Sequence, residues 1–241
     1  MQILIKNLKE FLYPLKALKT GIESVVFIVN DDGRLCVNSK SDDGTQISNI
    51  SWDNSVVEVK DDPEEIGIYE LPSFLTTLEM FGGNKIGLKT IKNKMVIKYA
   101  DNKNVTVNYN MSDPSIITQG PAEPKIKIDW LTEFEVDKEF IKKVNNVASS
   151  LDVDVLLFEC KDGKLSYQIS DKEFHSHKFS EVLLPDCQAE DFKFYMKIER
   201  LGIVSDNNPI KISIANKIIK LVLTETKNTY RYYIAPLSIE V

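Results

Sequence analysis

VVFIVNDDGRLCVN, residues 25–38, and VLLFECKDGKLSYQ, residues 155–168, decide the fold, because they write one device twice at an offset of 130. Each is an apolar run, an Asp-Gly pair and a second run that opens with a basic residue and Leu. Asp32-Gly33 and Asp162-Gly163 predict tight hairpin turns, since Gly tolerates the positive φ such turns require. Further on, KIGLKTIKNKMVIKYADNKNVTVNY (85–109) is echoed by PIKISIANKIIKLVLTETKNTYRYY (209–233) at an offset near 124. The chain is therefore two similar halves.

Upstream of the first hairpin, residues 1–5 are a short apolar run and a helical pattern follows. Leu8, Phe11, Leu12, Leu15 and Leu18 recur at three- and four-residue steps, which places them on one side of a helix. At about 100° per residue, Lys6, Lys9, Tyr13 and Lys16 gather on a separate face. Pro14 removes a backbone donor and is expected to kink or split this helix near its middle. Strand signals follow near 22–29, 34–40, 47–52 and 66–70. A helix over about 72–81 starts with Pro and ends at Gly82-Gly83, and strands at 85–91, 94–100 and 104–109 complete the half.

Residues 110–128, NMSDPSIITQGPAEPKIKI, carry three prolines and a Gly without periodicity and read as a linker extended over the surface. The second half repeats the plan. A strand at 132–136 leads to Asp137, a predicted N-cap, and a helix to Ser150. Phe140, Ile141, Val144, Val147 and Ala148 form its apolar stripe, with Lys138, Lys142, Asn145 and Ser149 opposite. Strands follow at 153–160, 164–170, 174–180 and 191–197, then a short helix near 198–205 and strands at 209–215, 217–224 and 230–235. Many strands, few helices and short connections give an α+β class with antiparallel sheets. The domain reading is 1–110, a connector at 111–128, and 129–241.

Composition narrows the function. The 241 residues, 43% hydrophobic and 27% charged, suit one large domain or two with separate cores. No apolar run approaches the roughly 20 residues of a membrane span, and charges interrupt the apolar start, so neither a membrane segment nor a signal peptide is expected. Cys36, Cys160 and Cys187 have no metal spacing and read as reduced thiols of a cytoplasmic protein. The net charge of −6 is unevenly spread. Eleven acids at 31–70 face only Arg34, Lys40 and Lys60, a balance of −8, whereas Lys6, Lys9, Lys16 and Lys19 face only Glu10 in residues 1–20, a balance of +3.

Catalytic patterns are missing. There is no phosphate-binding Gly loop, nucleophile elbow or His-Glu-x-x-His. His175 and His177 share a strand face and could clasp a metal, but no third ligand is near them in sequence. The paired aspartates mark turns, and the alternation of Tyr230, Tyr232 and Tyr233 fits sheet packing before base stacking. No enzyme activity and no cofactor are expected.

Several segments resemble the DNA sliding clamps, specifically the polymerase processivity factors of T4-type bacteriophages and, more distantly, proliferating cell nuclear antigen (PCNA). IYELPSFLTTLEMFGGNKIGL (68–88) has the family's Tyr-acidic-Leu entry into a helix. FEVDKEFIKKVNNVASSLDVDVLLFECKDGKLSYQISD (134–171) is similar to the first helix and hairpin of its second domain, and YRYYIAPL (230–237) to its Tyr-Tyr-Leu-Ala-Pro close. The order and spacing of these segments, over nearly the full length, carry the resemblance.

The resemblance implies a homotrimeric ring of two-domain subunits, with antiparallel sheets outside and helices lining a central hole around double-stranded DNA. Lys6, Lys9, Lys16, Lys138 and Lys142 are the expected DNA-facing residues, with Lys143 and Arg200 as further candidates. Lysines near phosphates give sequence-independent, salt-sensitive attraction, which suits sliding, and an acidic exterior would repel DNA. It also implies a DNA polymerase and an ATP-dependent clamp loader as partners, action in the host-cell cytoplasm, and an added role in late transcription. Partner peptides are expected at an apolar pocket beside the linker and the C-terminal segment, where Ile116, Ile117, Ile126, Ile128, Pro236 and Leu237 are the candidates. A monomeric processivity factor that holds DNA by a basic face is the alternative; self-association separates the two.

Overall fold

The structure is a computed structural model, and it describes residues 1–18, 21–60, 64–83, 85–101, 104–123, 127–171, 177–201, 209–224 and 226–237. The chain divides into two compact units: Met1–Lys125 with Lys227–Tyr230, and Ile126–Thr226 with Arg231–Val241.

The first unit runs β1 (Gln2–Ile5), α1 (Leu8–Leu18), β2 (Val25–Val29), β3 (Leu35–Lys40), β4 (Gln46–Ser51), β5 (Val57–Val59), β6 (Ile66–Ile68), α2 (Leu71–Glu79), β7 (Ile86–Ile91), β8 (Lys94–Tyr99) and β9 (Thr106–Asn110). One sheet has the order β5-β1-β7-β8-β9, and β4-β3-β2-β6 are neighbours in another. The core is built from the alternation: Ile3 and Ile5, Ile86 and Leu88, Met95 and Ile97 are buried, with their strand neighbours more exposed. Leu8, Phe11, Leu12, Leu15 and Leu18 of α1 are buried as the periodicity predicts. Each contributes about 1.5–3 kcal/mol relative to an exposed position. Phe11 meets Trp52 at 4.8 Å between ring centroids, and Phe27 stands 6.0 Å from Phe74. The three-residue β5 escaped the pattern reading, being too short to show a period.

Pro14 lies inside α1 without dividing it, so the expected split does not occur. Proline cannot donate to the Glu10 carbonyl one turn back. That oxygen accepts a long 3.5 Å hydrogen bond from Tyr230 Oη, whose ring packs 6.3 Å from Tyr13. Asn228, from the same returning segment, donates to Glu10 Oε1 at 2.6 Å and accepts from the Asp53 N–H at 2.6 Å. A distant strand end thus serves the helix position that sequence alone marks as defective.

The linker residues up to 123 belong to the first unit. Ser112 N–H donates to the Gly67 carbonyl at 3.0 Å, Gly120 N–H to the Asn38 carbonyl at 3.0 Å, and Asn49 Nδ2 to the Pro121 carbonyl at 2.8 Å. Isolated antiparallel bridges join Gly67 to Ser112 and Ser39 to Gln119. Asp113 caps a 3-10 turn at Pro114–Ile116 by accepting from the Ser115 N–H.

The second unit runs β10 (Thr132–Val136), α3 (Lys138–Leu151), β11 (Val155–Lys161), β12 (Lys164–Ser170), β13 (Phe179–Leu184), β14 (Phe192–Lys197), a 3-10 turn (Ile198–Leu201), β15 (Ile210–Ala215), β16 (Ile218–Leu223) and β17 (Thr229–Ile234). Its sheets have the orders β13-β12-β11-β14 and β10-β15-β16-β17. Asp137 caps α3, accepting from the Phe140 N–H at 2.9 Å, and Asp152 ends it in the left-handed conformation at φ 54°. Asp162 (φ 50°) and Gly163 (φ 72°) turn the β11–β12 hairpin, as the Asp-Gly signal predicts. The strand expected at 174–180 is found at Phe179–Leu184, and residues 172–176, including His175, lie outside the described residues. Of the helix expected near 198–205, Ile198–Leu201 form a 3-10 turn and the rest lies outside them.

Candidate nucleic-acid interface

In the first unit the candidate lysines are positioned by α1 and the bend before it. Lys9 and Lys16 are exposed on α1, with Tyr13 half-buried between them. Lys6 precedes the helix, in contrast to the sequence reading, and its Nζ lies 2.8 Å from Glu58 Oε2 and 3.0 Å from the Asn54 carbonyl. Lys16 Nζ pairs with Glu79 Oε1 of α2 at 2.5 Å. The second helix supplies a carboxylate and no cation.

In the second unit, Lys138 is half-buried and Lys142, Asn145 and Ser149 are exposed on α3, opposite buried Ile141, Val144 and Ala148. Lys142 pairs with Glu139 at 2.8 Å, one turn back. Lys143 reaches sideways to β13. Its Nζ lies 2.5 Å from Glu181 Oε2 and 5.4 Å from the Phe179 ring centroid. Arg200 is half-buried in the 3-10 turn.

Lys6, Lys16, Lys142 and Lys143 are thus ion-paired on the surface. Exposed pairs of this kind are worth about 0–1 kcal/mol. A phosphate can replace the carboxylate at little cost, so the pairs park the ammonium groups rather than cancel them. Three partners are far in sequence: Glu58, Glu79 and Glu181. Only Glu139, three residues from Lys142, was readable from spacing.

The cluster at β13 has a pH signature. Tyr167 Oη also donates to Glu181 Oε2, at 2.5 Å. The bonds from Lys143 and Tyr167 hold the Glu181 carboxyl below the usual carboxylate range, and burial, then Glu181, raise the Tyr167 hydroxyl. Because the folded value of Glu181 is depressed, its contribution is complete above the unfolded value of about 4.3 and is lost as pH falls through the folded value. Thermal melting from pH 7 to pH 3 should therefore show a larger loss for the native chain than for Glu181→Gln, the two curves converging at the acid end. Parallel curves would remove Glu181 from the account.

Among the partner-peptide candidates, Ile116 is 66% exposed on the connector while Ile117 is buried. In the second unit, Ile128, Pro236 and Leu237 are half-buried, and the Leu237 N–H donates to the Tyr195 carbonyl at 2.9 Å. Ile126 lies outside the described residues. The described residues hold no group of three or more His, Cys, Asp or Glu that could bind a metal, and no helix among them is long and apolar enough to cross a membrane. All three cysteines are free and buried. Burial pushes the Cys160 thiol up to about 11, with Cys187 beside it, so it stays protonated at neutral pH.

Two α+β units of one plan, each a strand, a lysine-bearing helix and then antiparallel strands, have the fold of PCNA-like clamps. Solved structures match it over the whole chain. PCNA of A. fulgidus, bound to the C-terminal region of FEN-1, aligns with a TM-score of 0.79 at 13% identity, covering 100% of both chains. PCNA of Thermococcus kodakaraensis aligns at 0.76 with 15% identity, covering 98% of this chain and 99% of that one. In sequence the chain is 21% identical over 204 residues to the sliding clamp of Vibrio phage KVP40, covering 82% of this chain and 90% of that protein. No family model matches.

Proposed function

We propose that the chain is a DNA sliding clamp: a homotrimeric ring that encircles duplex DNA without sequence specificity and tethers the replicative DNA polymerase. The observation that carries this reading is the whole-length clamp fold joined to sequence likeness to a phage clamp. Topological linkage supplies residence time. Lys9, Lys16, Lys138 and Lys142, with Lys6, Lys143 and Arg200 beside them, supply diffuse attraction to phosphates.

Ring closure needs two open sheet edges. Connector residue Ser112 bridges β6, Leu237 bonds the β14 edge, and β5 is only three residues long. The remaining edges are β9, β10 and β13, which end their sheets over five, five and six residues, and β13 is the longest. We assign the subunit contact to β9 of one copy and β13 of the next, a head-to-tail contact that closes when the rotation closes. Tyr69, 59% exposed, lines a recess of about 420 Å³ beside β9 with Tyr109, and Val182 is 53% exposed on β13. Partner peptides are assigned to Ile116 and Ile117 on the first unit and to Ile128, Pro236 and Leu237 on the second, with Ile126 among the candidates. The sequence offers no phosphate-binding Gly loop, so loading falls to a separate ATP-dependent loader, and late transcription is a further use of the same tether.

Absolute mass from light scattering over a concentration series tests the ring. A species near three times 27.4 kDa is expected. A strict monomer at high concentration, with salt-sensitive DNA binding intact, would favour a monomeric processivity factor.

A further inference from the structure

The face of β5-β1-β7-β8-β9 turned away from the core of the first unit is not acidic, contrary to the expectation of an acidic exterior. Residues 85–100 contain Lys85, Lys89, Lys92, Lys94 and Lys98 and no acid. Ile86, Leu88, Met95 and Ile97 are buried on the core side, so strand alternation turns Lys85, Lys89, Lys94 and Lys98 outward, and all four are exposed. None of the four forms an ion pair with a described residue. The only carboxylate these five strands carry is Glu58, already held by Lys6 at 2.8 Å.

Register turns four lysines into a row. Lys98 pairs with Gly87 and Lys94 with Ile91 across the β7–β8 ladder, and the Ala100 N–H bonds the Lys85 carbonyl. Along the strand direction the cations therefore fall level with positions 85, 87, 89 and 91, alternating between two strands. At about 3.4 Å per residue the step is roughly 7 Å. Each step spans about two phosphates of one DNA strand, which carries a charge per about 3.4 Å of axis. Asn108 and Asn110 extend the face with exposed polar side chains on β9.

We propose that this face is a second binding surface for duplex DNA, contacting the phosphate backbone and independent of ring closure. Several features favour nucleic acid over an acidic protein segment. The step of roughly 7 Å between cations matches alternate phosphates of one strand, and the cations are all lysines, point charges suited to diffuse, sequence-independent contact. Tyr99 and Tyr109 turn inward onto Phe81 and Phe74, so no ring is offered for base stacking, and an intact duplex fits better than single strands.

The test is fluorescence anisotropy of a 20-base-pair linear duplex between about 50 and 200 mM salt. Lys89→Gln/Lys94→Gln/Lys98→Gln is compared with the native chain, and the corresponding triple Glu variant serves as a second probe. All three side chains are exposed, and circular dichroism checks the fold. The triple Gln variant should bind at least about tenfold more weakly, and the slope of log affinity against log salt should fall by about 2–3. Unchanged affinity and slope overturn the proposal. So does a variant that keeps the duplex but loses a labelled polyglutamate peptide, which would assign the face to an acidic partner. The native trimer mass is read separately, so failure here leaves the ring reading standing and failure of the ring leaves this one.

Discussion

On the proposed ring, Val182→Lys should leave 27.4 kDa subunits in sedimentation at micromolar concentration and abolish processive synthesis on a primed circular template. Val182 is 53% exposed on β13, so an ammonium there costs the isolated subunit little; surface changes of this kind usually stay within about 0.5 kcal/mol. Its effect lies in the contact. A charge buried without a partner in an interface costs about 3–5 kcal/mol, more than a hundredfold in affinity at each of three joints. Lysine on an edge strand is also a device by which sheets avoid pairing. A lost trimer with a native circular-dichroism spectrum is the expected pair of results, the melting temperature falling only by the stabilisation that assembly gives. A persistent trimer would exclude β13 from the interface.

Gly67→Ala should destabilise the first unit by about 1–3 kcal/mol and release the connector. A Cβ at Gly67 would stand 2.4 Å from the Ser112 carbonyl oxygen and 3.1 Å from Ile117 Cδ1. The first neighbour is backbone and cannot swing aside, so the 3.0 Å bond from Ser112 N–H to Gly67 must lengthen or break. Ile117, buried beside it, loses its seat while exposed Ile116 does not. Hydrogen exchange should rise at Ser112 and Ile117, and protease cutting should increase within 110–120. Gly120, where a Cβ would lie 2.6 Å from the Ser39 carbonyl oxygen, marks the connector's other fixed point. Native-like exchange at Ser112 in the Gly67→Ala chain would show that the connector is not held there.

The hairpins and the helix capped by Asp137 were legible because their causes are local: an Asp-Gly turn, and a side chain bonding the N–H three residues on. Pro14 misled because its remedy, Tyr230, comes from the far end of the chain. β13 was placed several residues early; its alternation is weak, and Glu181 in its middle is held by Lys143 and Tyr167 rather than by pattern. The helix lysines were visible as a face, but not their pairing, since Glu58, Glu79 and Glu181 reach them only through the fold. The row on β7 and β8 needed the register. In one dimension Lys85, Lys89, Lys94 and Lys98 are merely spaced lysines, and only the pairing of Gly87 with Lys98 and Ile91 with Lys94 aligns them.

Residues Lys227–Tyr230 are counted with the first unit although the chain on either side belongs to the second. They bring Asn228 to the Glu10 carboxylate and the Asp53 N–H, and Tyr230 to the carbonyl that Pro14 leaves open. A ribosome that has made residues 1–125 has therefore not yet made all of the first unit. Its last pieces emerge more than a hundred residues later, so the usual order of synthesis, with the N-terminal body complete before the next begins, is denied to this chain. Cutting the gene between the two repeats would yield a first half with an orphaned amide beneath Asp53 and a second half carrying a strip that belongs elsewhere. The duplication is visible in the sequence, but its two copies have become one heritable object.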